Sequence, residues 1–205
     1  CLCSTTKKFK RMAFYFMNTL NNSLQKITLY PNLFSAQECQ RIKEGPEGFK
    51  PSPVGTMDAY SLMVFDSQIR NSSSCPFFIT PENFWVFKRI CDTVLEANNQ
   101  WYHFEIYRLI GTQVLEYKES QYYKFHTDIG TADLSSRKLS VVLFLSPPHD
   151  YQGGQLTFSH STFQTPPQDQ GTLVIFPSYM PHTVKPVTQG TRYTLVGWVH
   201  GPCFR

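Results

Sequence analysis

The stretch YYKFHTDIG, residues 122 to 130, sets His126 and Asp128 two positions apart in a run that reads as strand. Residues i and i+2 of a strand share a face, so an imidazole and a carboxylate would stand side by side. Such a pair is either two thirds of a metal site or a surface coincidence, and a third ligand decides. His103, His149, His160 and His200 sit in no partner pattern. His182 does: it follows the apolar run GTLVIF and lies between two prolines in FPSYMPHTVKPV, at a strand edge or turn. Ten positions on, Arg192 opens the run RYTLVGWVH, with Thr194 on the same face. Two neutral imidazoles and one carboxylate hold a non-haem Fe(II) on one side and leave positions open for a cosubstrate and O₂. A buried arginine suits a bidentate carboxylate partner, and a nearby threonine hydroxyl adds a hydrogen bond. Taken singly, each residue reads more simply as core or surface. The ordered set of His, Asp, distant His and Arg is what points to chemistry.

The elements that must position this set follow from periodicity and punctuation. ITLYPNLFSAQECQRIKE reads as a short strand, a turn and a helix, with Ser35 as N-cap and Glu38 closing a capping box. Residues 45 to 56 carry three Gly and three Pro and read as loop. The run 60 to 70 reads as extended. A second helix is expected from Pro81 and Glu82, with Phe84, Phe87, Ile90, Cys91, Val94 and Leu95 at helical spacing. WYHFEIYRLI then alternates as a strand. From there to the end, short strands alternate with Gly/Pro turns, and 129 to 137, IGTADLSSR, is a polar loop expected to act as a mobile lid. Helices followed by many short strands imply a mainly β chain with flanking helices, an α+β jelly roll or barrel.

Composition narrows the function. A formal charge of +4 with no long run of like charge gives no indication of nucleic-acid binding. No stretch approaches a membrane span. The six cysteines form no CxxC pair, and a chain of this size needs no disulfides, so reduced thiols and a cytoplasmic setting are expected. Residues 1–26 read as a poorly informative N-terminal extension, too short in apolar residues for a secretory signal.

With these blocks in place, the chain from about residue 27 to 202 resembles the iron- and 2-oxoglutarate-dependent dioxygenases of the prolyl 4-hydroxylase type, the bacterial and viral members above all. The resemblance rests on EANN before WYHFEI, on YKESQYYKFHTD, on RKLSVVLFLSPPHDYQGGQLTF and on FPSYMPHTVKPVTQGTRYTLVGWVHGP. It implies a double-stranded β-helix, with 27–205 as one dioxygenase domain. It implies that His126, Asp128 and His182 bind iron and that Arg192, helped by Thr194, pairs with the distal carboxylate of 2-oxoglutarate. Tyr117 matches a tyrosine that reaches the cosubstrate, Tyr123 and Trp198 match aromatics lining the pocket, and Gly153 and Gly154 match a GG pair where a strand begins. DSQIRNSSS around Arg70 resembles a segment near the substrate entrance. One position departs: where several animal relatives carry a cosubstrate-binding tyrosine, this chain has Phe144, which cannot donate a hydrogen bond.

The activity so implied consumes Fe(II)-bound 2-oxoglutarate and O₂, with ascorbate as a further candidate, and releases succinate and CO₂ as a C–H bond is hydroxylated. Prolyl residues in a protein or peptide are the favoured substrate. A free amino acid or another side chain is the alternative, and a cupin-like metal-binding module without turnover is the competing class. A halogenase is set aside because Asp128 supplies the carboxylate. Oligomeric state is not legible.

Overall fold

The computed structural model describes residues 25–55, 63–159 and 165–204. Most of the N-terminal extension, and residues 60 to 62 of the expected extended run, lie outside them. The strands are β1 (Thr28–Tyr30), β2 (Lys50–Pro51), β3 (Val54–Gly55), β4 (Met63–Val64), β5 (Arg70–Asn71), β6 (Ser73–Pro76), β7 (Arg108–Tyr117) and β8 (Tyr122–His126). They continue as β9 (Arg137–Phe144), β10 (Tyr151–Gly153), β11 (Leu156–Phe158), β12 (Leu173–Pro177), β13 (His182–Val184), β14 (Val187–Gly190) and β15 (Arg192–His200). The helices are α1 (Ala36–Glu44) and α2 (Phe84–Ala97).

A seven-stranded sheet, ordered β1-β12-β9-β15-β7-β6-β2, faces a four-stranded sheet, ordered β11-β13-β8-β5. The alternation of the central strands sorts their side chains into two cores. On β9 and β15, Leu139, Val141, Leu143, Leu195 and Val199 join Phe34, Ile42, Val86, Phe87, Ile90 and Val94 from the helices and their approaches. The opposite faces send Val142 and Phe144 toward Leu156, Phe158 and Val184 of the smaller sheet. Arg192 and Thr194 share that inner face, fully buried. The fold is thus the expected mainly β jelly roll with helices on one side.

Helix α1 begins as the sequence predicts. Ser35 accepts from the Glu38 amide and Glu38 accepts from the Ser35 amide, a complete capping box. Glu38 also takes a bidentate pair from Arg89 of α2, at 2.9 Å for each nitrogen. The Arg89 bond holds the Glu38 carboxyl down at about 2, against an ordinary value of 4.5. A carboxylate depressed in the folded state stabilises above its unfolded value and loses that contribution as pH falls. Stability is therefore expected to decline between pH 4.5 and about 2, and Glu38→Gln should flatten that limb. Because the pair is partly solvent-screened, the neutral-pH cost should be only about 1 kcal/mol. Thermal melts of both proteins across this range check it.

Four elements differ from the sequence reading. Helix α2 starts at Phe84 with Asn83 as N-cap, and Phe84 and Leu95 face solvent while Val86, Thr93 and Ala97 are buried. The apolar count had two phases of the helix to choose from, and the sheet selects one. WYHFEIY is not a strand: residues 98–102 continue α2 as a π-helical turn and the ladder begins only at Arg108. The Asn98 side chain closes the turn by bonding both backbone groups of Phe104. Phe104 and Ile106 still alternate inward against the helix-side core, which is why the pattern mimics a strand. In the Gly/Pro-rich loop, 50–51 and 54–55 form two short strands. Residues 132–136 of the polar loop wind into a 3-10 turn.

Cys39, Cys75, Cys91 and Cys203 are unpaired. Among the described residues no helix is long and apolar enough to cross a membrane.

Candidate metal centre and cosubstrate pocket

The two histidines stand directly opposite each other. His182 opens β13 just past a turn, on an inner strand of the smaller sheet, and pairs in register with His126 at the end of β8. Each ring is fixed by its own backbone. His126 Nδ1 bonds the Lys124 carbonyl at 2.8 Å, and His182 Nδ1 bonds the Met180 carbonyl at 2.9 Å. A carbonyl only accepts, so each Nδ1 carries a proton, and in the neutral ring Nε2 is the nitrogen left with a lone pair. Burial, with His182 next in effect, pushes the His126 pKa well below its ordinary value, which keeps that ring neutral.

Asp128 lies just past the end of β8, where its backbone amide donates to the Ser178 carbonyl at 2.9 Å. Its Oδ1 lies 3.7 Å from His126 Nε2 and its Oδ2 lies 3.7 Å from His182 Nε2. All three donor atoms fall within 4.8 Å of one another. Burial alone would raise the Asp128 pKa, but His182, His126, the Ser140 bond and Arg137 together bring it below the usual value. The donor set is therefore two imidazole nitrogens and one carboxylate, the set that suits a non-haem divalent iron.

Ser140 and Ser178 were not legible as site residues. Ser140 Oγ donates to Asp128 Oδ2 at 2.6 Å and also meets Ser178 Oγ at 3.0 Å. The only signal was one serine inside the apolar run LSVVLFL. Outer-sphere partners orient a ligand carboxylate. Ser140→Ala should weaken divalent-metal affinity roughly 10–100-fold. A Mn²⁺ titration checks it, and unchanged affinity would contradict the orienting role.

The site opens into a cavity of about 770 Å³. Arg192, Thr194, Tyr117, Tyr123 and Trp198 all line it. Arg192 is 1% exposed, its Nε has no partner, and among the described residues no carboxylate pairs with it. Burial lowers its pKa while Tyr151 and Tyr117 oppose that, Tyr151 partly through a hydrogen bond. Phe144 puts only a ring beside it, 5.5 Å from the guanidinium carbon.

Backbone irregularities set the walls. The β8–β13 register shifts between His182 and Val184. That bulge changes the parity of β8, so Tyr123, three residues before His126, stacks on its ring at 3.5 Å. Burial raises the Tyr123 pKa to about 12 against the opposing Arg70. Gly111 sits at φ +70 beside the β7–β15 register shift, and a Cβ there would lie 2.9 Å from the Trp198 ring. Gly154 does the same for Arg192: a Cβ would approach its Cδ to 2.9 Å. Both glycines are required by close approach as well as by positive φ.

A mainly β sandwich with a His-Asp-His cluster at one end of its inner cavity defines a class, and comparison agrees with it. Residues 112–200 match the model of the 2OG-Fe(II) oxygenase superfamily. A PKHD-type hydroxylase of Hyphomonas neptunium is 40% identical over 89 residues, 40% of this chain and 38% of the relative. The chain thus spans well under half the length of that curated relative. A prolyl hydroxylase of Trichoplax adhaerens, solved with a hypoxia inducible factor peptide fragment, superposes at TM-score 0.69 with 18% identity, covering 97% of this chain and 93% of that one. The viral collagen prolyl hydroxylase of Paramecium Bursaria Chlorella virus-1, in its 2OG complex, superposes at 0.64 with 21% identity, covering 86% and 96%. The resemblance read from the sequence and the jelly-roll fold are both borne out.

Proposed function

We propose that this chain is an Fe(II)- and 2-oxoglutarate-dependent oxygenase that hydroxylates a C–H bond, with prolyl residues of a protein or peptide as substrate. Arg192 carries the reading. A buried guanidinium without a carboxylate, in the cavity that holds the His126–Asp128–His182 cluster, asks for an acid from outside the chain. A metal-holding module without turnover has no use for it.

Bound iron would supply the place where keto acid and O₂ react and the oxidising power for C–H cleavage. His126 and His182 present Nε2, and Asp128 presents the oxygen that Ser140 does not hold. Arg192 offers its planar fork to the distal carboxylate, with the Thr194 hydroxyl beside it. Leu115, Val142, Leu156 and Val184 keep water from the inner cavity. The overall balance is 2-oxoglutarate, O₂ and R–H giving succinate, CO₂ and R–OH.

Tyr123 and Trp198 support the prolyl assignment, since an apolar pyrrolidine ring suits aromatic walls and proline leaves no amide unsatisfied there. The polypeptide part is supported by the cavity mouth, where Ile69, Phe78, Ile79 and Ile110 are exposed. Incubation with Fe(II), 2-oxoglutarate and ascorbate, with proline-containing peptides or free proline, tests it. Succinate release with one oxygen added to peptide is expected. Turnover of the free amino acid and of none of the peptides would contradict the substrate assignment.

A further inference from the structure

We propose that the substrate presents a carboxylate next to the residue being oxidised, and that Arg137 together with Arg70 receives it. This rests on the oxygenase reading above and specifies its substrate.

Among the described residues the charges lining the cavity are three arginines, Arg70, Arg137 and Arg192, and one carboxylate, Asp128. Once the site is loaded, a divalent ion and Arg192 are matched by Asp128 and the two carboxylates of 2-oxoglutarate. Arg70 and Arg137 remain. Among the described residues neither has a carboxylate within ion-pair distance. Arg137 donates to the Asp128 carbonyl at 3.1 Å and lies 3.8 Å over the Trp198 ring, and its buried Nε has no partner. Arg70 donates to Ser72 Oγ at 3.0 Å and to the Pro53 carbonyl at 3.1 Å, and lies 4.8 Å over Tyr123. These neutral contacts fix the two guanidinium groups without cancelling their charge. Arg89, by contrast, is neutralised by a bidentate pair with Glu38 even though it is partly exposed.

The two fields act on one region. Arg70 lies over the Tyr123 ring, which stacks on His126, and Arg137 bonds the backbone carbonyl of Asp128. Positive charge therefore flanks the metal-proximal cavity from the β5 side and from the start of β9. A cleft of this kind concentrates anions, and a planar guanidinium matches a carboxylate with two parallel bonds. Asp128 cannot satisfy Arg137 in the loaded state, because its oxygens face the cluster and Ser140. The carboxylate could belong to an acidic side chain beside the target or to a chain terminus.

The test compares matched peptides on the metal-loaded protein. N-acetyl-Ala-Pro-Glu-Ala-amide is set against its Gln counterpart, and N-acetyl-Ala-Ala-Pro acid against its amide. The two pairs separate an acidic side chain from a terminus. Peptide-independent consumption of 2-oxoglutarate is followed separately, so failure of the oxygenase reading shows there. Binding to the Mn²⁺-loaded protein ranks the same peptides even where none is turned over. The expected result is a preference of tenfold or more for the acid in at least one pair, expressed in KM or Kd and eroded by salt. Within each variant, that ratio should fall toward one in Arg137→Gln and in Arg70→Gln, with Arg137→Lys retaining part of it. Equal binding of acid and neutral partners in both pairs, or a preference that survives in both Gln variants, would overturn the proposal.

Discussion

Asp128→Ala is expected to lose divalent-metal binding almost entirely. Among the described residues Asp128 is the only carboxylate lining the cavity, and it lies 3.7 Å from the Nε2 of each histidine. Without it the two imidazoles alone must hold the ion, so the loss should exceed the roughly 10–100-fold typical of an orienting partner. Asp128→Glu should not rescue in full, because one extra methylene displaces the oxygen from Ser140. Calorimetric Mn²⁺ titration reads the effect directly. Retained wild-type affinity in Asp128→Ala would remove the aspartate from the metal centre.

Arg192→Ala should raise the 2-oxoglutarate concentration needed for half-saturation between about a hundredfold and a few thousandfold. Breaking a buried ion pair from one side costs about 3–5 kcal/mol, and each 1.4 kcal/mol is tenfold. Metal affinity should change far less, because Arg192 reaches the cavity from the larger sheet while the histidines come from the smaller one. Arg192→Lys should also be poor, since an ammonium cannot reproduce the fork. Tyr151→Phe is the companion variant: it removes a hydroxyl that favours the charged Arg192 and should raise the requirement more modestly. Unchanged half-saturation in both Arg192 variants would refute the clamp.

The sequence carried His126, Asp128, His182 and Arg192 because ligand types are few and strand spacing fixes their faces. It carried the two helices and the jelly-roll class because periodicity and Gly/Pro punctuation survive without tertiary context. What it lost depends on long-range contact. Ser140 looks like any polar residue in a strand until β8 and β12 bring Asp128 and Ser178 to it. Tyr123 and His126 are three apart and belong on opposite faces of a regular strand; only the bulge stacks them. Arg137 meets Trp198 through the β9–β15 pairing, where Trp198 lies opposite Ser140 and His200 opposite Arg137. Trp101 to Tyr107 keeps a strand-like alternation with no ladder partner, so period alone misassigns it. Phe84 and Leu95 fit the helix period but fall outside the arc that the sheet covers.

Under the proposed function one cavity brings Fe(II), held by His126, Asp128 and His182, together with 2-oxoglutarate held by Arg192. Anaerobic titration of the Fe(II)-loaded protein with 2-oxoglutarate tests this without any substrate. Chelation of Fe(II) by a 2-keto acid gives a visible charge-transfer absorption that neither component shows alone. A saturable band is expected in the wild type. It should be absent in Asp128→Ala and His182→Ala and shifted to much higher 2-oxoglutarate in Arg192→Ala. A correctly folded, iron-loaded wild type with no band at saturating 2-oxoglutarate, or a band indifferent to all three substitutions, would contradict the account.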